Sequence, residues 1–218
     1  DHYVTGVLKK VIEDKTITDR QLGTMLEITK GISSDHYLSQ LLKSIMDNRT
    51  MNDENMAKIL ALTKDINSDH YKTGILKKAL KNKNLSTKAY NQFLSSVNDI
   101  KSDHYTSSVV SELLKNKLDN SSLDRVLQMI DDNVRSDHYA SNLYTKIAKS
   151  NKLSESQLIK LMQSASNNIS SSHSLTRVLT SYAKQVNRSS NRVKAAYRNA
   201  AKKIKSDSYY GRVLKAID

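Results

Sequence analysis

Apolar residues recur along this chain with the spacing of amphipathic helices. Two consecutive runs are Tyr37, Leu38, Leu41, Leu42, Ile45 and Met46, followed by Met56, Ile59, Leu60, Thr63 and Ile66. Apolar residues at i, i+4 and i+8 line one face of a helix and bury it against a neighbour. The short polar segment from Asp47 to Asn52 separates the two runs. This pattern predicts a helical hairpin.

The hairpin pattern returns at a fixed interval. His2, His36, His70, His104 and His138 are each 34 residues apart, and His173 and Ser208 follow at steps of 35. Equivalent positions stay apolar, namely Val7, Leu41, Ile75, Val109, Leu143 and Val178 in the first helix and Met25, Ile59, Phe93, Leu127 and Leu161 in the second. Such a period is typical of solenoids, in which stacked repeats share one core. We predict an all-α fold: one α-solenoid domain, residues 1–218, of about six 34-residue helical hairpins.

The repeats share the motif Ser-Asp-His-Tyr. Its first two residues are Ser34 and Asp35, Ser68 and Asp69, Ser102 and Asp103, and Ser136 and Asp137. A serine hydroxyl at the N-cap can accept a bond from a free N–H, and an aspartate in the first turn is favoured by the helix dipole. We expect each first helix to begin here, with serine as N-cap; aspartate as N-cap is the alternative. Thr18 with Gln21 and Ser154 with Gln157 match the capping box of second helices.

Repeated histidines also raise the question of chemistry. All six histidines lie in motif copies, but helices pack about 8–10 Å apart, whereas two nitrogens on one zinc ion lie about 3–4 Å apart. Consecutive Ser, Asp and His residues do not face one another on a helix, which disfavours a triad. No P-loop, G-x-G-x-x-G or H-E-x-x-H motif occurs. We therefore predict no catalytic residues, no metal site and no cofactor; the histidine series alone supports the rival interpretation of a metal-binding enzyme.

Composition narrows the class further. The 218 residues contain no Cys, Pro or Trp, which excludes disulfides and thiolate metal sites. No apolar run approaches the roughly 18 residues of a membrane span. The net charge is +13, and ten Lys or Arg against two Asp place about +8 of it in residues 184–218.

We call seven of these cations the C-terminal basic cluster: Arg188, Arg192, Lys194, Arg198, Lys202, Lys203 and Lys205. We expect Val193, Ala196, Tyr197, Ala200 and Ile204 to form the buried side of the same helix. Together with Tyr182, Tyr197, Tyr209 and Tyr210, the cluster has the basic and aromatic composition of a polyanion site. The pattern leaves open whether it is a binding surface or a solvated face.

Lysines also recur at one position near the end of the first helices, at Lys81, Lys115, Lys149 and Lys184. Cations there stabilise the helix dipole by about 0.3–1 kcal/mol, so this row needs no ligand. An anion-binding track is the alternative interpretation.

The repeat resembles known families. The 34-residue hairpin is similar to HEAT-like α-solenoid repeats. The stretch Ile-Ser-Ser-Asp-His-Tyr-Leu-Ser-Gln-Leu-Leu, Ile32 to Leu42, resembles S-D-[HY]-x-x-x-x-[VL]-L repeats. These occur in soluble regions of bacterial membrane proteins related to metallopeptidases and anti-sigma factors. The resemblance implies a periplasmic or cytoplasmic region of a bacterial membrane-associated protein and transfers no catalytic chemistry.

Two functions follow as hypotheses. The first is a non-enzymatic binding or scaffold module that engages a protein or peptide partner on the solenoid surface. The alternative is binding of nucleic acid or another polyanion through the C-terminal basic cluster. Because the chain begins and ends within a repeat, without polar capping helices, we expect it to be a fragment of a longer protein.

Overall fold

The computed structural model describes residues 1–14, 16–81, 85–115, 120–150 and 153–218. These residues form thirteen α-helices and no β-strand. The helices are α1 (His2–Glu13), α2 (Asp19–Ile28), α3 (Asp35–Asn48), α4 (Asp53–Leu62), α5 (Asp69–Ala79), α6 (Thr87–Asn98), α7 (Asp103–Leu113), α8 (Asn120–Asn133), α9 (Asp137–Ser150), α10 (Glu155–Asn168), α11 (Ser172–Asn187), α12 (Asn191–Ala201) and α13 (Asp207–Lys215). Short 3-10 turns, Thr29–Gly31 and Thr63–Asp65, extend α2 and α4. The predicted all-α fold is confirmed.

Helix packing divides the chain into two compact units, Asp1–Val109 and Val110–Asp218. In the first unit, α1 packs on α3 and α3 on α5, while α2 packs on α4 and α4 on α6. In the second, α9 packs on α11 and α11 on α13, while α8 packs on α10 and α10 on α12. First helices thus follow first helices and second follow second, which is the packing of a solenoid-like helical repeat. The expectation of one domain over residues 1–218 stays a prediction.

The core consists of the apolar positions that recur with the repeat. Leu41, Ile75, Val109, Leu143 and Val178 of the first helices are fully buried, and so are the second-helix residues Ile59, Phe93 and Leu161. Burying one such side chain contributes about 1.5–3 kcal/mol. Val7 differs and is 62% exposed. The reason is that α3 lies between two first helices, whereas α1 packs against α3 alone among them.

Local sequence signals fix where several helices begin. Both predicted capping boxes are confirmed, at Thr18 with Gln21 and at Ser154 with Gln157. The Gln21 side chain accepts a bond from the N–H of Thr18 at 2.8 Å, and the Thr18 hydroxyl accepts one from the N–H of Gln21 at 3.3 Å. These reciprocal bonds satisfy backbone donors that a helix N-terminus otherwise leaves free.

Candidate functional site

The motif serines lie at the N-caps of first helices. The carbonyls of Ser34, Ser68, Ser102 and Ser136 accept a backbone bond from the residue four positions on, at N···O distances of 2.9–3.0 Å. The Ser34 hydroxyl accepts a long bond of 3.5 Å from the N–H of Tyr37, whereas the Ser68 hydroxyl makes no capping bond. The helices therefore begin after serine, and capping by the hydroxyl does not account for the motif at Ser68.

The motif aspartates connect consecutive repeats. The Asp35 carboxylate accepts a bond from the N–H of Asn67 at 3.1 Å and one from the N–H of Ser68 at 2.7 Å. Equivalent bonds of 2.6–3.1 Å join Asp1 to Ser34, Asp69 to Lys101 and Ser102, and Asp137 to Ser170 and Ser171. In the sixth copy, Ser172 stands at the aspartate position, and its hydroxyl accepts a bond from the N–H of Lys205 at 3.2 Å. The aspartate thus has two roles: it lies at a helix N-terminus, and its carboxylate binds the backbone N–H groups just before the first helix of the next repeat.

The motif histidines are exposed and contact tyrosine rings. The ring of His36 lies 5.2 Å from that of Tyr37 in its own repeat and 5.7 Å from that of Tyr71 in the next, centroid to centroid. The rings of His70 and Tyr105 repeat the second contact at 6.0 Å. Edge and tilted contacts at this distance are favourable for aromatic pairs. Within the described ranges, no three His, Asp or Glu side chains are placed to hold a metal ion.

The C-terminal basic cluster lies in and around the second helix of the α11–α12 hairpin. Lys194, Arg198 and Lys202 are spaced by four residues, the first two within α12 and the third at its C-cap. Arg192 lies in the first turn of α12, and Arg188 lies in the loop before it. The two remaining members, Lys203 and Lys205, lie in the loop before α13. Lys194 is half-buried and the other six are exposed. The predicted inner side is confirmed for Val193, Tyr197, Ala200 and Ile204, which are buried, while Ala196 is half-buried.

The tyrosines near this cluster do not form an aromatic platform. Tyr182 and Tyr197 are almost wholly buried, and burial raises the pKa of both phenols. The hydroxyl of Tyr182 donates to the carbonyl of Tyr144, and that of Tyr197 donates to the carbonyl of Val213 at 3.2 Å. Tyr209 is half-buried, and the Arg212 guanidinium lies 5.5 Å from its ring centroid. Two of the four rings therefore belong to the core, contrary to the mixed basic and aromatic surface expected from composition.

Positive charge is concentrated in the second compact unit. Residues 110–218 contain nineteen Lys or Arg and nine Asp or Glu, a net charge of +10, against +3 for residues 1–109. Within the second unit, cations cover not only α12 but also the outer surface between α9 and α11.

That surface forms an open trough, which we call the α9–α11 groove. One segment of about 520 Å³ is lined by Asn142, Thr145, Lys146, Lys149, Arg177, Thr180 and Ser181. A second segment of about 450 Å³ is lined by Ala148, Ser181, Lys184, Gln185, Arg188 and Ser189. The two segments meet at Ser181, and together they are lined by five cations. The described lining contains no carboxylate and no aromatic ring.

Two of the groove cations are held in place by neighbouring helices. Arg177 on α11 donates through Nη2 to Asn142 Oδ1 at 2.8 Å and to the Ser141 hydroxyl, both on α9. Lys146 Nζ donates to the carbonyl of Ser111 at 2.7 Å. Burial lowers the pKa of Lys146, repulsion from Lys115 lowers it further, and Glu112 opposes the shift. Lys146 is thus bonded to α7 and lies near the Glu112 carboxylate.

A half-buried polar network around the buried Tyr144 lies in the same unit. Ser164 Oγ donates to both Asp131 oxygens, at 2.5 and 2.6 Å, and the Tyr144 hydroxyl donates to the same carboxylate. Asn168 Nδ2 lies 3.3 Å from the Tyr144 hydroxyl. Burial, with the hydrogen bond to Asp131 second, raises the pKa of Tyr144. These bonds tie α8, α9 and α10 together, so the network has a structural explanation.

The sequence did not indicate that Lys146 and Arg177 lie on one surface, and Lys149 and Lys184 were interpreted from it as helix-end charges. Lys115 does pair locally, with Glu112 at 2.8 Å, but Lys149 and Lys184 line the α9–α11 groove. Comparison of equivalent positions between repeats could have identified this surface. Arg177 occupies the position of Gln40 and Gly74, so a cation there distinguishes this copy from earlier ones.

No helix of the described chain is long and apolar enough to cross a membrane.

Comparisons with known proteins place the chain in no family. No family model and no curated protein matches the sequence. A solved structure described as "Computational Design of Self-Assembling Cyclic Protein Homooligomers" is 12% identical, with a TM-score of 0.19 over 99% of this chain and 79% of that one. A likeness this weak carries no argument. The fold and its repeated contacts define the class as an all-α helical-repeat protein.

Proposed function

We propose that the protein is a non-enzymatic binding and scaffold module that engages an acidic protein or peptide partner through the basic surface of residues 110–218. One observation carries this proposal. None of the seven side chains of the C-terminal basic cluster forms an ion pair with a carboxylate of the described chain.

Helix packing explains the inner side of α12 but not its outer side. Val193, Tyr197 and Ala200 face the core, whereas the helix itself contains no Asp or Glu to neutralise its cations. Outside the helix, the Glu155 carboxylate attracts Arg192 without forming an ion pair with it. Like charges on one surface repel one another, and an acidic partner removes that repulsion. A surface of this kind also attracts acidic partners over about one Debye length, roughly 8–10 Å at physiological ionic strength.

Nucleic acid is the second candidate, and the stripe of Lys194, Arg198 and Lys202 favours it. Three cations in line can neutralise backbone phosphates of a duplex. Single-stranded nucleic acid is less compatible with the site, because stacking requires exposed aromatic rings and Tyr182 and Tyr197 are buried. The resemblance to HEAT-like repeats of bacterial membrane-associated proteins stays a prediction and favours neither candidate.

A binding experiment with matched charge-reversal variants tests the proposal. We expect a fluorescein-labelled glutamate-rich peptide to bind at low salt, with affinity falling steeply as ionic strength rises. Arg192→Glu with Lys202→Glu should weaken binding at least about tenfold. Lys64→Glu with Lys101→Glu changes the net charge equally, at exposed positions in the first unit, and should have a much smaller effect.

Three outcomes would count against this assignment. Absence of peptide binding at low salt would leave the cluster as a solvated face. Equal weakening by both double variants would indicate attraction by net charge rather than by this surface. Tighter binding of a DNA duplex than of the peptide, abolished by reversal of Arg192 and Lys202, would favour the nucleic-acid alternative.

A further inference from the structure

The α9–α11 groove collects cations that no acidic residue of its described lining neutralises. Lys146, Lys149 and Arg177 line one segment, and Lys184 and Arg188 line the next. Only Arg188 also belongs to the C-terminal basic cluster, so the groove is a separate surface. Helix-dipole stabilisation does not account for Arg177, which lies near the start of α11 at the positive end of the dipole.

The groove also contains donors that are positioned and unused. Because Arg177 Nη2 is fixed on Asn142 and Ser141, the guanidinium is held in place while its Nε and Nη1 form no hydrogen bond with any described residue. The Thr145 hydroxyl is buried beside it and has no partner in the described chain. A buried hydroxyl without a partner is destabilising, and Thr145 is one of the residues that line the groove.

We propose that the α9–α11 groove binds the phosphorylated side chain of a peptide partner, an inference that rests on the proposed function and specifies its ligand. A phosphate monoester carries close to two negative charges and three acceptor oxygens. That matches the Arg177 guanidinium and the Lys149 ammonium better than a single carboxylate does. The Arg177 Nη1 can donate to one phosphate oxygen while Nη2 stays bonded to α9.

The shape and composition of the groove favour a peptide over a nucleic acid. It runs between two helices as an open trough of two joined segments, which suits an extended chain carrying the phosphate better than a free ion. Its described lining contains no aromatic ring on which bases could stack. Lys184 and Arg188 extend positive charge along the trough, so acidic residues beside the phosphorylated one should strengthen binding.

NMR titration of the full chain tests this inference. The probes are a capped Gly-Ala-Ser-Ala-Gly peptide phosphorylated on serine, its unphosphorylated form and its glutamate analogue. We expect saturable shifts of the amides of Thr145, Lys149 and Arg177 with the phosphopeptide. The other two peptides should bind at least about tenfold more weakly, the equivalent of one lost charge-assisted hydrogen bond.

Two substitutions separate binding from folding. Lys149→Gln changes an exposed side chain, whereas Arg177→Gln also removes the bonds to Ser141 and Asn142. Each should weaken phosphopeptide binding about threefold to tenfold, while Lys64→Gln should leave it unchanged. If Lys149→Gln binds as tightly as the unaltered protein, the inference is wrong whatever happens to the stability of Arg177→Gln.

Other outcomes distinguish this inference from the proposed function. Shifts confined to α12, or equal affinity for the glutamate peptide, would overturn the phosphate site while leaving acidic-partner binding intact. A short DNA duplex that displaces the phosphopeptide from the groove would also overturn it, in favour of nucleic acid. Failure of both this titration and the glutamate-rich peptide assay would remove the proposed function as well.

Discussion

Replacing Asp35 with alanine tests whether the motif aspartate joins repeats or only favours a helix N-terminus. The Asp35 carboxylate bonds the N–H groups of Asn67 and Ser68, which enter the next repeat. Asp53 provides a matched control, because it occupies the same first helical position in α4 and is exposed. Asp53→Ala should therefore report the dipole contribution alone.

The expected magnitudes follow from these contacts. A hydrogen bond to a charged group contributes about 1.5–3 kcal/mol when shielded. Asp35 is half-buried, which reduces the total for its two bonds to about 2–3 kcal/mol. Removing the dipole interaction at Asp53 should cost about 0.3–1 kcal/mol. Ser34→Ala should cost less than about 0.5 kcal/mol, because its capping bond is 3.5 Å long.

Urea unfolding followed by far-UV circular dichroism measures all three changes. We predict that the free energy of unfolding falls most for Asp35→Ala, less for Asp53→Ala and least for Ser34→Ala. Asp35→Asn should lower the free energy of unfolding by an amount between those of Asp35→Ala and Asp53→Ala, because the one remaining side-chain oxygen can still accept a bond. If Asp35→Ala and Asp53→Ala cost the same, the inter-repeat bonds contribute nothing measurable. If Ser34→Ala costs most, the motif is mainly a capping device.

Three further predictions concern acid stability, metal binding and the polar network around Tyr144. Hydrogen bonds from Ser190 and attraction to Arg192 lower the pKa of Glu155 in the folded protein. The ionised Glu155 carboxylate therefore stabilises the fold fully above about pH 4.5, and this stabilisation is lost as the pH falls through the lowered pKa. Glu155→Gln should therefore make the free energy of unfolding depend less on pH below about 4.5. Micromolar zinc or nickel should leave the melting temperature unchanged, whereas a rise of many degrees would show a site present only in the folded state. Ser164→Ala should lower the free energy of unfolding by about 1–3 kcal/mol, by removing the donor to Asp131, and equal loss in a Ser166→Ala control would contradict this.

The helices and the core could be predicted from sequence because both depend on local periodicity. Apolar spacing of three and four residues identified the buried face of each hairpin, and the 34-residue period placed equivalent positions together. Val7 shows the limit of this reasoning, since it obeys the pattern but is 62% exposed. Burial at that position requires a neighbouring first helix on each side, which a single repeat cannot reveal.

Contacts between repeats escaped prediction because they join residues more than thirty positions apart. The bonds of Asp35 depend on how closely the next repeat stacks, and a helix N-terminus alone explains an aspartate equally well. A row of small hydroxyl residues two positions after the last motif position was also missed, namely Thr5, Ser39, Thr73, Ser107, Ser141 and Thr176, all buried. The α9–α11 groove likewise depends on two helices coming together. Its cations looked like ordinary helix-end charges when each helix was considered alone.

Hydrogen exchange with and without a glutamate-rich peptide tests the central claim most directly, because it locates the bound partner on the chain. We predict slower exchange within residues 110–218, concentrated in α12 and the α9–α11 groove, and no change in residues 1–109. Protection of the first unit, or no protection at peptide concentrations that saturate binding, would contradict an acidic-partner surface on the second unit.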